Sequence, residues 1–160
     1  MFLTPDLKDK YQKKVFQGFE TMKSFGNRDS FFGQIKTVTC HDDNSKVKEI
    51  LGTNGKGKVL VINSNLITHA AMIGDEIAQK AIDNEWNGIF VAGYVRDVEL
   101  LKEMDLGILA LGSTTTKTNK NNKGFFGEDV IFGGVILSEG SWLYADKNGW
   151  LVSKELLEVN

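Results

Sequence analysis

Three side chains stand out by type and spacing: Asp75, Arg96 and Asp97. The planar guanidinium of Arg96 donates in a fixed fork that suits a carboxylate. An aspartate oxygen such as that of Asp97 suits a hard divalent cation, Mg²⁺ or Mn²⁺. Such an ion, largely hydrated because few protein carboxylates hold it, would polarise a 2-keto oxygen and stabilise an enolate, with Asp75 orienting a metal-bound water. A helix starting at Gly74–Ile77 would add free backbone N–H groups to the carboxylate-binding end. The same residue types also have a structural reading. An Arg-Asp pair after a strand serves as a local ion pair or a helix cap, and an aspartate at a helix start serves as a cap. Spacing alone leaves both readings open.

The elements that must position these residues follow from periodicity. Apolar Ile77, Ala78, Ala81 and Ile82 mark one face of a helix from Gly74-Asp75, closed by Asn84 to Gly88 with Gly88 as its C-terminal cap. The run Val59–Asn63 reads as a buried strand before that helix, and Ile89–Ala92 as the strand after it. Strand, helix and strand within about 35 residues form a right-handed crossover with parallel strands. A second crossover follows, with a short helix over Asp97–Met104 and a strand over Leu106–Leu111. Functional groups in open α/β sheets gather beyond the carboxyl ends of strands, so Asp75, Arg96 and Asp97 are expected in one crevice.

Elsewhere, Tyr11, Val15, Phe16 and Phe19 give the spacing of one helix over Thr4–Phe25. Gly33–Cys40 alternates as a half-buried strand, and Lys46–Leu51 follows Asp43-Asn44-Ser45 as a helix. From Gly112 to Gly124 the chain is nearly free of apolar residues and reads as a surface loop with solvated Lys117, Lys120 and Lys123. Val130–Leu137, Trp142–Asp146 and Trp150–Ser153 read as a C-terminal β meander, with a last helical turn over Glu155–Val159. The expected class is α/β, one domain over residues 1–160.

Bulk properties narrow the function classes. With 160 residues, 41% hydrophobic and 25% charged, the chain has the size and composition of one globular domain. A net charge of −2 gives no strong electrostatic reason to expect direct nucleic-acid binding. No apolar run suits a membrane span, and a lone Cys40 with no signal-like start points to the cytoplasm. Gly52–Lys58 fits G-x4-G-K, but it precedes a strand and Val59 follows its lysine, so a phosphate loop is not expected. Cys40 reads as a buried apolar residue rather than a nucleophile. His41 and His69 lack a second close His or Cys at zinc-ligand spacing, so a zinc site is not expected.

Gly74-Asp75, twenty further residues and then Arg96-Asp97 resembles the motif of the class II 4-hydroxy-4-methyl-2-oxoglutarate and 4-carboxy-4-hydroxy-2-oxoadipate aldolases. That family includes the regulator of ribonuclease activity A (RraA-like). Thr4-Pro-Asp-Leu, Val38-Thr-Cys-His-Asp-Asp-Asn-Ser, Asn84-Glu-Trp-Asn-Gly, Phe132-Gly-Gly-Val and Trp142-Leu-Tyr-Ala-Asp also look like family stretches. The resemblance implies an αββα-type domain that forms a homotrimer or a hexamer of two rings, with sites at subunit interfaces. It implies that Gly74, Asp75, Glu76 and Ile77 lie along the substrate, that Arg96 binds its pyruvyl part, and that Asp97 ligates the metal. The expected activity is a lyase using Mg²⁺ or Mn²⁺, cleaving aldol substrates to pyruvate and decarboxylating oxaloacetate. The alternative implied role is regulation of ribonuclease E by binding it. Leu100 stands where some aldolase members carry an acidic side chain, and His69 where an arginine is often found.

Overall fold

The computed structural model of the chain describes residues 1–159. Helix α1 covers Thr4–Tyr11, followed by a 3-10 turn at Gln12–Lys14 and two short strands, β1 at Val15–Gln17 and β2 at Lys23–Ser24. The central run is β3 (Phe31–Thr39), α2 (Ser45–Leu51), β4 (Lys58–Asn63), β5 (Ala71–Ile73), α3 (Asp75–Asp83), β6 (Gly88–Val95), α4 (Val98–Leu101) and β7 (Gly107–Ser113). After it come β8 (Phe125–Phe126), β9 (Val130–Phe132), β10 (Val135–Leu137), β11 (Trp142–Ala145) and β12 (Trp150–Ser153).

The main sheet runs β1-β12-β11-β3-β4-β6-β7-β2, with β5 added beside β6 and β8 beside β3. Strands β3, β4, β6 and β7 are mutually parallel, as the crossover connections require. Strands β11, β12, β1 and β2 pair antiparallel at the flanks. The strand period of two divides the apolar residues cleanly between the faces. Leu60, Ile62, Ile89, Val91, Ile108 and Ala110 pack with Val47, Leu51, Ala78 and Ala81 of the helices. Val59, Val61, Phe90 and Leu109 point the other way, into a second core with Leu143, Trp150 and Val152. The rings of Phe90 and Trp150 are 4.8 Å apart although β6 and β12 are four places apart in the strand order, so the sheet folds back over itself. Leu7 of α1 covers the outer face of the folded-over strands, beside Tyr144 and Leu151. The layers are therefore α, β, β and α.

Several sequence expectations are corrected. The helix expected over Thr4–Phe25 ends at Tyr11, because Val15, Phe16 and Gln17 pair with β12 and Gly18 packs flat on the Trp150 ring. A Cβ on Gly18 would stand 2.2 Å from that ring. Phe19, assigned by spacing to an apolar helix face, is 76% exposed. Gly88 opens β6 and does not cap α3, whose C-terminal cap is Asn84. Gly88 and Gly107 are register partners across β6 and β7, and the Phe31 ring fills the space where their side chains would be. In the meander, β9 and β10 form their own hairpin through Gly133 and Gly134, both at positive φ, while β11 and β12 join the main sheet. Glu155–Val159 forms no helix. The Leu157 N–H donates to the Tyr144 hydroxyl at 2.7 Å, and the Glu158 N–H donates to the Tyr11 hydroxyl. Among the described residues no helix is long and apolar enough to cross a membrane.

Candidate active site

The carboxyl ends of β5, β6 and β7 meet at one edge of the sheet, and three loops follow them there. Strand β5 was not expected from sequence, since three residues carry no period. It aligns Ala71 with Tyr94 and Ile73 with Val95, and the Arg96 N–H donates to the Ile73 carbonyl at 3.1 Å. That pairing brings Gly74-Asp75 beside Arg96-Asp97, a closer convergence than the crossover alone provides.

Asp97 turns the chain from β6 into α4 in a single residue. Its φ of 59° and ψ of 41° are left-handed, a conformation that aspartate tolerates better than most residues. The Asp97 carbonyl accepts the Leu100 and Leu101 N–H groups, but its side chain does not cap its own helix. Instead Oδ2 accepts the Asp75 N–H at 3.2 Å, at the start of α3. Oδ1 accepts no hydrogen bond among the described residues. The Arg96 Nε lies 3.9 Å from Asp97 Oδ2, too long for a strong pair between partly exposed groups. The Arg96 Nη1 donates weakly to the Thr115 carbonyl at 3.5 Å. A local ion pair therefore does not account for the two residues.

Arg96, Asp97 and Glu99 face Ser113, Thr114 and Thr115 across an open pocket of about 400 Å³. The hydroxyl residues were assigned by sequence to a solvated loop. Their position at and directly after the end of a parallel strand was the signal that could have singled them out. That loop is held, not loose. Ala71 donates its N–H to the Thr116 carbonyl, Lys120 Nζ donates to Asn44 Oδ1 at 3.0 Å, and the Asn121 N–H donates to Asp43.

Of the other expected site residues, Gly74 and Asp75 are half-buried beside Asp97, and the Asp75 carboxylate makes no hydrogen bond or ion pair among the described residues. Glu76 is exposed. The Ile77 side chain is buried in the core with the helix face, so only its backbone is on the site side. As early residues of a helix, Glu76 and Ile77 present N–H groups with no carbonyl inside the helix to bond. Leu100 is exposed on α4, and His69 pairs with Asp42 at 3.1 Å.

Two other features behave as their local chemistry requires. Burial, and then the Asp43 charge, push the Cys40 thiol up to about 12. Gly52–Lys58 lies between α2 and β4, with the Trp86 indole N–H donating to the Thr53 carbonyl, and so is a structural turn.

The family model RraA-like, described as Aldolase/RraA, matches residues 4–152. The chain belongs to this family. It is 45% identical over 157 residues to a Vibrio cholerae protein named "Putative 4-hydroxy-4-methyl-2-oxoglutarate aldolase", covering 98% of each. It superposes with a TM-score of 0.94 and 34% identity on the RNA-processing inhibitor RraA from Thermus thermophilis, covering 99% of this chain and 96% of that one. The same TM-score, at 32% identity, relates it to a Geobacillus kaustophilus structure described as S-adenosylmethionine: 2-dimethylmenaquinone methyltransferase, covering 97% of this chain and 96% of that one. Three different activities are thus attached to one fold, and function must be argued from the site.

Proposed function

We propose that the chain is a divalent-metal-dependent lyase acting on 2-keto acids through a pyruvate enolate, with 4-hydroxy-4-methyl-2-oxoglutarate aldolase and oxaloacetate decarboxylase activity. One observation carries the reading: the Asp97 carboxylate is fixed through one oxygen and open through the other, beside a guanidinium at a pocket. The donor set fits a hydrated hard cation. No cluster of three His, Cys, Asp or Glu side chains exists among the described residues, so Mg²⁺ or Mn²⁺ held by Asp97 would keep several waters, as Mg²⁺ commonly does. When bound, the cation supplies Lewis-acid polarisation of the 2-keto oxygen.

The chain's own residues do the rest. Arg96 and the N–H groups at the start of α3 hold the carboxylate next to the keto group. Asp75, whose N–H binds Asp97 and whose carboxylate has no hydrogen bond or ion pair among the described residues, orients the water that exchanges protons with the substrate. In the aldol substrate the hydroxyl loses its proton, the adjacent carbon–carbon bond breaks, and its electrons form the pyruvate enolate. In oxaloacetate the same enolate forms as carbon dioxide leaves, and protonation at carbon then gives pyruvate. Purified protein with Mg²⁺ or Mn²⁺ is expected to decarboxylate oxaloacetate, and Arg96→Ala and Asp97→Ala to stop it without unfolding. Turnover no faster than that of the free ion would refute the reading.

A second reading rests on the likeness to the RNA-processing inhibitor at 34% identity over almost the whole chain. In it the outer face of a homotrimer or hexamer binds ribonuclease E. Exposed Ile131 and Ile136 on the β9–β10 hairpin support an assembly. Light scattering reads its size, and a pull-down with ribonuclease E that recovers nothing would remove the regulatory role.

A further inference from the structure

Gly74 has no conformational reason to be glycine. Its φ of −135° and ψ of −161° are extended, and any residue adopts them. The reason is spatial. A Cβ built on Gly74 would stand 2.3 Å from Asp97 Oδ2, while its next neighbours, Arg96 Cγ and Asp97 Cγ, are 3.4 Å away. The one atom in conflict is the oxygen that also accepts the Asp75 N–H at 3.2 Å. The vacancy at position 74 and the donor at position 75 together form a seat for that carboxylate oxygen. The Arg96 Nε stands farther off, at 3.9 Å from it.

We propose that Gly74 is a positioning residue, which acts by leaving empty the space that the Asp97 carboxylate occupies. It thereby fixes which oxygen of Asp97 is engaged and which is left without a hydrogen bond among the described residues. This inference rests on the lyase reading only for its functional consequence, since the seat itself is a feature of the folded chain. The conflicting atom is the far end of a short side chain, not backbone. A methyl at position 74 therefore turns the carboxylate off the Asp75 N–H and leaves β5, α3 and β6 in place.

The test compares the full-length chain with Gly74→Ala and Asp97→Ala, each checked for folding by circular dichroism and thermal melting. In ¹H–¹⁵N spectra the Asp75 amide is expected to move in Gly74→Ala toward its position in Asp97→Ala, because both lose the same acceptor. An Asp75 amide that moves in Asp97→Ala and stays at its wild-type position in Gly74→Ala would overturn the proposal. Mn²⁺ titration supplies the functional arm. Gly74→Ala is expected to bind Mn²⁺ roughly 10- to 100-fold more weakly, the usual cost of disturbing a ligand's support. If Asp97→Ala binds Mn²⁺ as well as wild type, the lyase reading fails while the amide shift still decides the role of Gly74. Should Gly74→Ala not fold, Gly74→Ala/Asp97→Ala removes the conflict. Its recovery of a native spectrum supports the seat, and its failure to recover overturns it.

Discussion

Two carboxylates in this molecule do the same local job and end differently. Asp146, in the turn between β11 and β12, receives the Thr4 N–H at the start of α1 at 2.7 Å. Asp97, between β6 and α4, receives the Asp75 N–H at the start of α3. Each thus satisfies a helix donor from a distant loop. Asp146 is buried and also accepts the Thr4 hydroxyl at 2.7 Å and the N–H groups of Asn148 and Gly149. Both of its oxygens are engaged. Asp97 is partly exposed, and one of its oxygens is engaged. A carboxylate saturated by the fold has nothing left to offer a ligand, whereas a half-saturated one at a pocket is held in place and still free to react.

The largest expected effect breaks the comparison at Asp97. Asp97→Asn keeps the shape and the oxygen facing Asp75 but removes the charge. On the lyase reading, kcat/KM for oxaloacetate falls roughly a thousandfold, the several kcal/mol that Lewis-acid stabilisation contributes. The melting temperature stays near that of wild type. A variant that keeps its turnover would place Asp97 with Asp146, among the purely structural carboxylates.

Asp146→Ala should do the reverse. It strands the buried Thr4 donors and the turn N–H groups, at a cost of about 2–3 kcal/mol, with turnover per folded molecule unchanged. Chemical denaturation measures the loss. The pH dependence follows from the same contacts. Burial pushes the Asp146 carboxyl up, but the hydrogen bonds from Thr4 and Asn148 outweigh it and hold the carboxyl below the usual value. A depressed folded value gives stability that is present above the unfolded carboxylate value, near pH 4, and is lost as the pH falls through the folded one. Wild type is therefore expected to lose more stability than Asp146→Ala on acidification below about pH 4. Parallel curves would show that the depression is not energetically felt.

Arg96→Lys sharpens the site half with a smaller effect. The charge survives and the two-pronged donor does not, so KM for oxaloacetate is expected to rise roughly tenfold, about 1.4 kcal/mol of binding. Steady-state kinetics at saturating metal reads it, and an unchanged KM would mean that Arg96 acts only as a point charge.

How much of this was legible before folding depends on whether the signal was local. The crossover strands β4, β6 and β7 and helix α3 carry long periodic patterns, and the rule that sites lie at carboxyl ends of strands placed Asp75, Arg96 and Asp97 together. Strand β5 was hidden because Ala71–Ile73 is defined by pairing with β6, not by its own pattern. The aromatic residues of the first segment have helical spacing, yet Gly18 against Trp150 and the ladder with β12 pull that segment into strand, so tertiary contacts override propensity. Which oxygen of Asp97 is engaged, and why position 74 is glycine, depends on atoms 22 and 23 residues apart in the chain and had no sequence signal at all.

The smallest effect concerns Cys40, and it tests whether a place at the strand ends is sufficient for chemistry. Cys40 directly follows β3, at the same edge of the parallel strands as Arg96 and Asp97, and its N–H donates to the Asn63 carbonyl at the end of β4. Position alone would make it a candidate nucleophile. Burial, and then the Asp43 charge, push its thiol up to about 12. At pH 8 the reactive thiolate is then roughly one molecule in ten thousand. A thiol reagent is expected to label the native protein negligibly over the time in which it labels the denatured chain completely. Cys40→Ala is expected to leave oxaloacetate turnover unchanged. Rapid native labelling would show that the end of β3 opens to solvent, and the contrast drawn between held and reactive groups would then have to include motion as well as hydrogen bonding.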